Sequence, residues 1–92
     1  MPSTRAEIST KQASSYLLRL CKLWAQLGTA DYTPQSARIH FDGWTIEMDA
    51  TRDKLEITID ALQERTLSRH TQMVADQLQR FARQETLEFH WY

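Results

Sequence analysis

Little in these 92 residues offers reactive chemistry, and each shortage excludes something. The lone Cys21 has no partner for an intramolecular disulfide. Two glycines cannot build a phosphate-cradling loop, and no Gly-x-Ser-x-Gly elbow presents a serine nucleophile. No His-x-x-x-His or Cys-x-x-Cys pair has the spacing of a zinc site. Long apolar runs are missing as well, since even Tyr16 to Leu27 is interrupted by Arg19, Lys22 and Gln26, well short of the ~20 residues of a membrane span. The N-terminal MPSTRAEIST lacks the apolar centre of a secretory signal, so a soluble, cytoplasmic protein is expected. Charge of one sign is also absent. Lys and Arg number 11 against 12 for Asp and Glu, for a net charge of -1, so no global field draws in nucleic acid or an anionic membrane. Neither is expected as a partner.

What is present is the material of one core. Hydrophobic residues make up 41% of the chain, including three each of Trp, Tyr and Phe, and the length suits a single domain over 1–92. Ala13, Tyr16, Leu17, Leu20, Cys21, Trp24 and Leu27 recur at helical spacing, which predicts a first helix from near Thr10. Ser9 and Gln12 have the spacing of a capping box at its start, and Gly28 supplies a left-handed position at its end. Leu67, Thr71, Val74, Leu78, Phe81 and Ala82 predict a second helix from about Leu62 to Gln84, capped by Asp60.

Period-two segments surround these helices. Arg5 to Ile8 reads as a short first strand, and the polar TADYTPQS, with Pro34, reads as a loop. ARIHF and WTIEMDA flank Asp42-Gly43, which suits the positive φ angles of a tight type I′ hairpin, and KLEITID completes a three-stranded meander. The closing TLEFHWY alternates again, with Leu87, Phe89 and Trp91 on one side and Glu88, His90 and Tyr92 on the other. The expected fold is α+β, a two-layer sandwich of order (β)αβββαβ with both amphipathic helices on one face of an antiparallel sheet.

The residues now in hand resemble those of a known family. SSYLLRLCKLW is similar to the helix R-Y-L-x-x-L-C-x-H-W of the bacterial family called domain of unknown function 2218, and QLQRFARQETLEFHW resembles its closing H-L-E-R-F-A-x-R-E-x-L-x-V-x-W. The resemblance implies an α+β fold and no established activity, with a genomic setting near iron and siderophore uptake. It also implies two departures, because the histidines of the family pattern fall here on Leu23 and Gln77.

Candidate functional residues are few. His40 and His90 belong to the sheet's outer face with Arg38, Thr45, Glu47, Glu56, Thr58, Glu88 and Tyr92, a set containing the nitrogen and oxygen donors of a divalent-ion site. Glu47 and Glu56 form a carboxylate pair if they face each other across the meander. A solvated polar face explains the same residues without a ligand. Cys21 reads as a packed core-edge cysteine, and Trp24, Trp44 and Trp91 as core aromatics. Arg65, Arg69, Arg80 and Arg83 lie on the outer half of the second helix with Asp76 among them, as on an ordinary solvated face. Residues 31 to 64 hold eight acidic residues against Arg38, Arg52 and Lys54, and this too reads as surface decoration.

With no nucleophile set beside a base, the expected function is that of an accessory or interaction module, not an enzyme and without a cofactor. Its uncovered sheet face is the expected partner surface. Free strand edges, with the off-stripe Leu18 and Met73, suggest a homodimer. The other reading is a metal or small-ligand carrier in iron or siderophore handling, with His40 and His90 as metal ligands.

Overall fold

Alternation in the strand segments sends one set of side chains to a single side, where Ala6, Ile8, Ile39, Ile46, Met48, Leu55, Ile57 and Ile59 are all fully buried. The helices complete that core with Leu17, Leu20, Cys21, Val74 and Leu78. In the computed structural model, which describes residues 2–92, the elements are β1 (Ser3–Ser9), α1 (Ala13–Trp24), β2 (Thr29–Tyr32), β3 (Ser36–Phe41), β4 (Trp44–Ala50), β5 (Lys54–Ala61) and α2 (Glu64–Phe81). The strands form one antiparallel sheet of order β1-β5-β4-β3-β2. Both helices cover the same face, α1 over β2 to β5 and α2 over β5 and β1. The α+β sandwich expected from the sequence is the observed architecture.

Several local expectations are corrected. The segment read as a loop contains β2, whose Thr29–Tyr32 pair with His40–Ala37. Pro34 occupies the turn that follows, where the Thr33 amide donates to Ser36 O at 2.8 Å and the proline's missing N–H removes no ladder bond. The hairpin at Asp42-Gly43 forms, joining the paired Phe41 and Trp44. Of the two turn residues only Gly43 has positive φ, at 88°, so the sign pattern is that of a type II turn and not the expected type I′.

Helix ends differ for identifiable reasons. Ser9 is still paired in β1, so no capping box forms; the Thr10 hydroxyl instead accepts the Gln12 amide at 3.1 Å. Asp60 is likewise inside β5, and the residue preceding α2 is Gln63. Leu27, placed on the buried stripe by its spacing, is 71% exposed because regular helix stops at Trp24. Gly28 has no left-handed conformation. Its role is close approach: a Cβ there would lie 2.5 Å from the backbone oxygen of His40. Gly28→Ala is therefore expected to destabilise by about 1–3 kcal/mol, the usual range for overpacking against a backbone that must shift. Urea unfolding measures it, and an unchanged midpoint would show that β3 yields freely.

The C-terminal segment holds the largest local surprise. Its alternation is as expected, with Leu87 buried, Phe89 and Trp91 packed partly on the core, and Glu88, His90 and Tyr92 exposed. It is not a ladder strand. One reciprocal backbone pair ties it to β1, Arg5 N to Tyr92 O at 2.9 Å and Tyr92 N to Arg5 O at 2.8 Å. Gln79 directs the chain there: its amide donates to the carbonyls of Ala82 at 3.1 Å and Glu85 at 3.0 Å, and its oxygen accepts the Leu87 amide at 2.9 Å. That clamp turns the chain at Ala82, so α2 ends before Gln84.

Candidate functional site

The outer face of the sheet is built from residues that alternate with the core positions, and no helix covers it. Register sets Arg5, Thr58, Glu47, Arg38 and Asp31 in one cross-strand row, with Glu7, Glu56, Asp49 and Ser36 in the next. Its cations are engaged. Arg5 reaches Glu56 at 2.8 Å, Lys54 reaches Glu56 at 3.1 Å and Glu7 at 3.5 Å, and Arg38 pairs with Glu47. The hydrogen bond to Lys54 leads the causes that hold the Glu56 carboxyl below its ordinary range, and the same contact raises Lys54. Glu47 stands opposite Thr58, and Glu56 opposite Asp49, so the expected Glu47–Glu56 pair does not form. Asp31, Asp49 and Asp60 have no ion-pair partner among the described residues, which leaves this face acidic.

The two candidate metal ligands are not brought together. His40 lies on β3, its Nδ1 3.3 Å from the Thr45 hydroxyl, whereas His90 lies beyond β1, its Nε2 3.8 Å from Glu88. Four strand spacings of ~4.8 Å separate them, about 19 Å in all, whereas ligands of one ion lie within a few ångströms of each other. Among the described residues no group of three His, Cys, Asp or Glu side chains is placed to hold a metal ion. Cys21 is fully buried, and burial pushes its thiol up to about 11, consistent with a core residue.

Sequence reasoning missed a polar cluster where α1 begins and α2 ends. Tyr16, 5% exposed, donates its hydroxyl to a Glu85 carboxylate oxygen, and Thr10, 6% exposed, donates to the same oxygen at 3.0 Å. Burial, then the bond to Glu85 and its negative charge, raise the Tyr16 phenol to about 12. The usable signal was Tyr16 itself, since a tyrosine on a buried stripe needs a partner for its hydroxyl. An open hollow of about 720 Å³ lies beside this cluster, bordered by Gln12, Ser15, Arg19 and Arg83. Both ends of the Tyr16–Glu85 bond belong to the segments that carry the family likeness, and in this chain the bond latches α1 to the C-terminal segment.

At the other end of the helix pair, Trp44 stacks between Phe41, with centroids 4.4 Å apart, and His70 at 4.2 Å, and Trp24 meets both Phe41 and Trp44 edge-on. Burial and then the neighbouring Arg69 hold His70 below its ordinary value, favouring the neutral ring in the stack.

Between these ends runs the seam of an antiparallel helix pair. Arg19 lies over the Phe81 ring at 4.5 Å, one turn on from the Tyr16–Glu85 bond. A further turn along α1 and back along α2 brings Leu23 and Gln77 to the same level. The positions where the resembled pattern has histidines therefore sit across from one another at the seam. Leu23 is 46% exposed and Gln77 half-buried. Met73, 44% exposed, lies one turn from Gln77 in a shallow hollow of about 430 Å³ with Arg69, Gln72, Asp76 and Arg80. Arg19, Lys22, Arg65, Arg69, Arg80 and Arg83 form no ion pair among the described residues, which leaves the helical layer as cationic as the sheet face is acidic.

Comparison with known proteins agrees with this fold. The NMR structure of PA4090 from Pseudomonas aeruginosa superposes with a TM-score of 0.84 at 32% identity, covering 100% of this chain and 96% of that one. No curated protein matches the chain. The family described as "Uncharacterized protein conserved in bacteria (DUF2218)" matches residues 5–92, from β1 to the final tyrosine, and the chain belongs to that family.

Proposed function

We propose that this chain is a non-enzymatic accessory domain that acts by binding a protein partner. The observation that carries the reading is where its exposed large apolar residues stand. Four of the six, Leu23, Leu27, Leu62 and Met73, belong to the helical layer or its ends, with Tyr32 on β2 and Tyr92 at the C-terminus, while the strands turn mostly polar and charged side chains to the open face. The hollows are broad and shallow, and the hydrogen-bonded hydroxyls Tyr16 and Thr10 are shut into the latch at Glu85. Native mass spectrometry of protein isolated from its own host tests this. A stoichiometric protein partner is expected, whereas a bare monomer that retains a small molecule or metal would replace the reading with that of a carrier.

Self-association is supported at one place, the edge of β2. Both broad faces carry a surplus of one sign, so a two-fold contact through either sets like charges together. The β1 edge is taken by Tyr92. On β2 the Thr33 to Ser36 bond fixes the alternation of the ladder, which turns the amides of Ala30 and Tyr32 outward. Ala30→Pro removes an outward donor and leaves the bonds to β3 intact. Sedimentation should show a dimer for the native chain and a monomer for Ala30→Pro; a dimer in both would exclude the β2 edge.

A further inference from the structure

We propose that the seam between α1 and α2 is a docking groove for an acidic amphipathic segment of a protein partner. This rests on the interaction reading above and names both the surface and the chemistry it takes. Apolar contact is offered by Leu23 on α1 and by Met73 in the hollow on α2, each a little under half exposed. Leu27, 71% exposed, continues it beyond the end of α1. The rim is cationic, with Arg19 and Lys22 along α1 and Arg69 and Arg80 along α2.

The contrast between layers is what points to a ligand. On the sheet, Arg5, Arg38 and Lys54 are each held by a carboxylate of this chain. On the helices, none of these rim cations has one among the described residues. Arg80 stands eleven residues after Arg69, close to three full turns, so both project from the same side of α2 about 16 Å apart along its axis. An amphipathic helix laid along the seam would set apolar side chains on Leu23 and Met73 and carboxylates against Arg69 and Arg80, the helix-in-groove mode of recognition.

Two other anionic partners fit less well. A lipid surface needs a continuous band of protruding apolar side chains, whereas Leu23 and Met73 stand singly on separate helices with charged residues beside each. A nucleic acid needs stacking platforms, and the helical layer exposes no large aromatic side chain, the exposed Tyr32 and Tyr92 being on β2 and the C-terminal segment.

The test uses the full chain and a labelled synthetic helix with leucines along one face and glutamates beside them. Its controls are the same peptide with lysine for glutamate, phosphatidylcholine/phosphatidylglycerol vesicles, and a single-stranded oligonucleotide. Fluorescence anisotropy should show the glutamate peptide binding at least about tenfold more tightly than the lysine peptide, with strong salt dependence. The double variant Arg69→Glu/Arg80→Glu should weaken it by about ten- to a hundredfold, and Leu23→Gln/Met73→Gln by about tenfold. Arg52→Glu, a loop cation outside the groove, should stay within about twofold. All these residues are exposed, and circular dichroism confirms that each variant folds. Binding unmoved by the groove variants, or binding of vesicles or oligonucleotide in place of the peptide, overturns the assignment. A host partner whose affinity ignores Arg69→Glu/Arg80→Glu removes the groove and leaves the accessory reading standing. A monomer from the host that still binds the peptide through the groove removes only the accessory reading.

Discussion

Deletion of residues 83–92 is expected to abolish cooperative folding. That segment carries Leu87, 6% exposed, together with Phe89 and Trp91 packed against the core. A fully buried side chain of this size stabilises by about 1.5–3 kcal/mol, so Leu87 and the partial burial of two aromatics amount to roughly 4–6 kcal/mol. The lost hydrogen bonds add to this: the reciprocal Arg5–Tyr92 pair, the clamp from Gln79, and the acceptor for Tyr16 and Thr10. Small domains are stable by about 5–15 kcal/mol in total, so ten residues without regular secondary structure decide whether the rest folds. The deletion also bares the β1 edge, a template for aggregation. Urea titration followed by circular dichroism should show no native baseline. A truncated protein melting within about 1 kcal/mol of the full chain would mean that β1 and α2 close the core unaided.

Glu85→Ala should be the most damaging single change outside the apolar core, at about 2–4 kcal/mol. It leaves two buried hydroxyls, those of Tyr16 and Thr10, without their shared acceptor, and bonds to a charged partner contribute about 1.5–3 kcal/mol each. Glu85→Gln keeps an acceptor oxygen in place and should lose less than half as much. The same latch predicts an alkaline limit. The Tyr16 phenol is raised from 10.0 in the unfolded chain to about 12 in the fold. The folded state therefore holds this proton where the unfolded state has released it, and stability falls as pH rises between those values. Below pH 10 the contribution is complete. Tyr16→Phe should flatten this decline, and a midpoint that falls equally in Tyr16→Phe would assign the alkaline loss to another group.

How much of this was legible in the sequence varied with the kind of interaction. Positions on the central strands were clear because their neighbours force alternation: Leu55, Ile57 and Ile59 are buried and Glu56, Thr58 and Asp60 are not. The β2 strand was hidden because it is an edge, with only Ala30 packed on the core and no periodic burial to read. Gly28 was singled out for the wrong property, since a helix-ending glycine and a glycine beneath a crossing backbone look alike until His40 is in place. The latch depends on residues 69 positions apart and has no local pattern at all.

Charge shows the same division. The acidic middle of the chain was visible in the sequence, but its meaning depends on which face each segment occupies. The one cysteine is buried, and the three histidines lie apart, His40 on β3, His70 on α2 and His90 in the C-terminal segment. By itself the sequence determined the number and type of most elements and which side of each is apolar, because these follow from periodicity within a segment. Only the tertiary structure decided that the terminal residues close the core, that Tyr16 bonds Glu85, and that Arg69 and Arg80, without an ion pair among the described residues, border the hollow of Met73. Those outcomes are contacts between distant segments, and no local spacing specifies them.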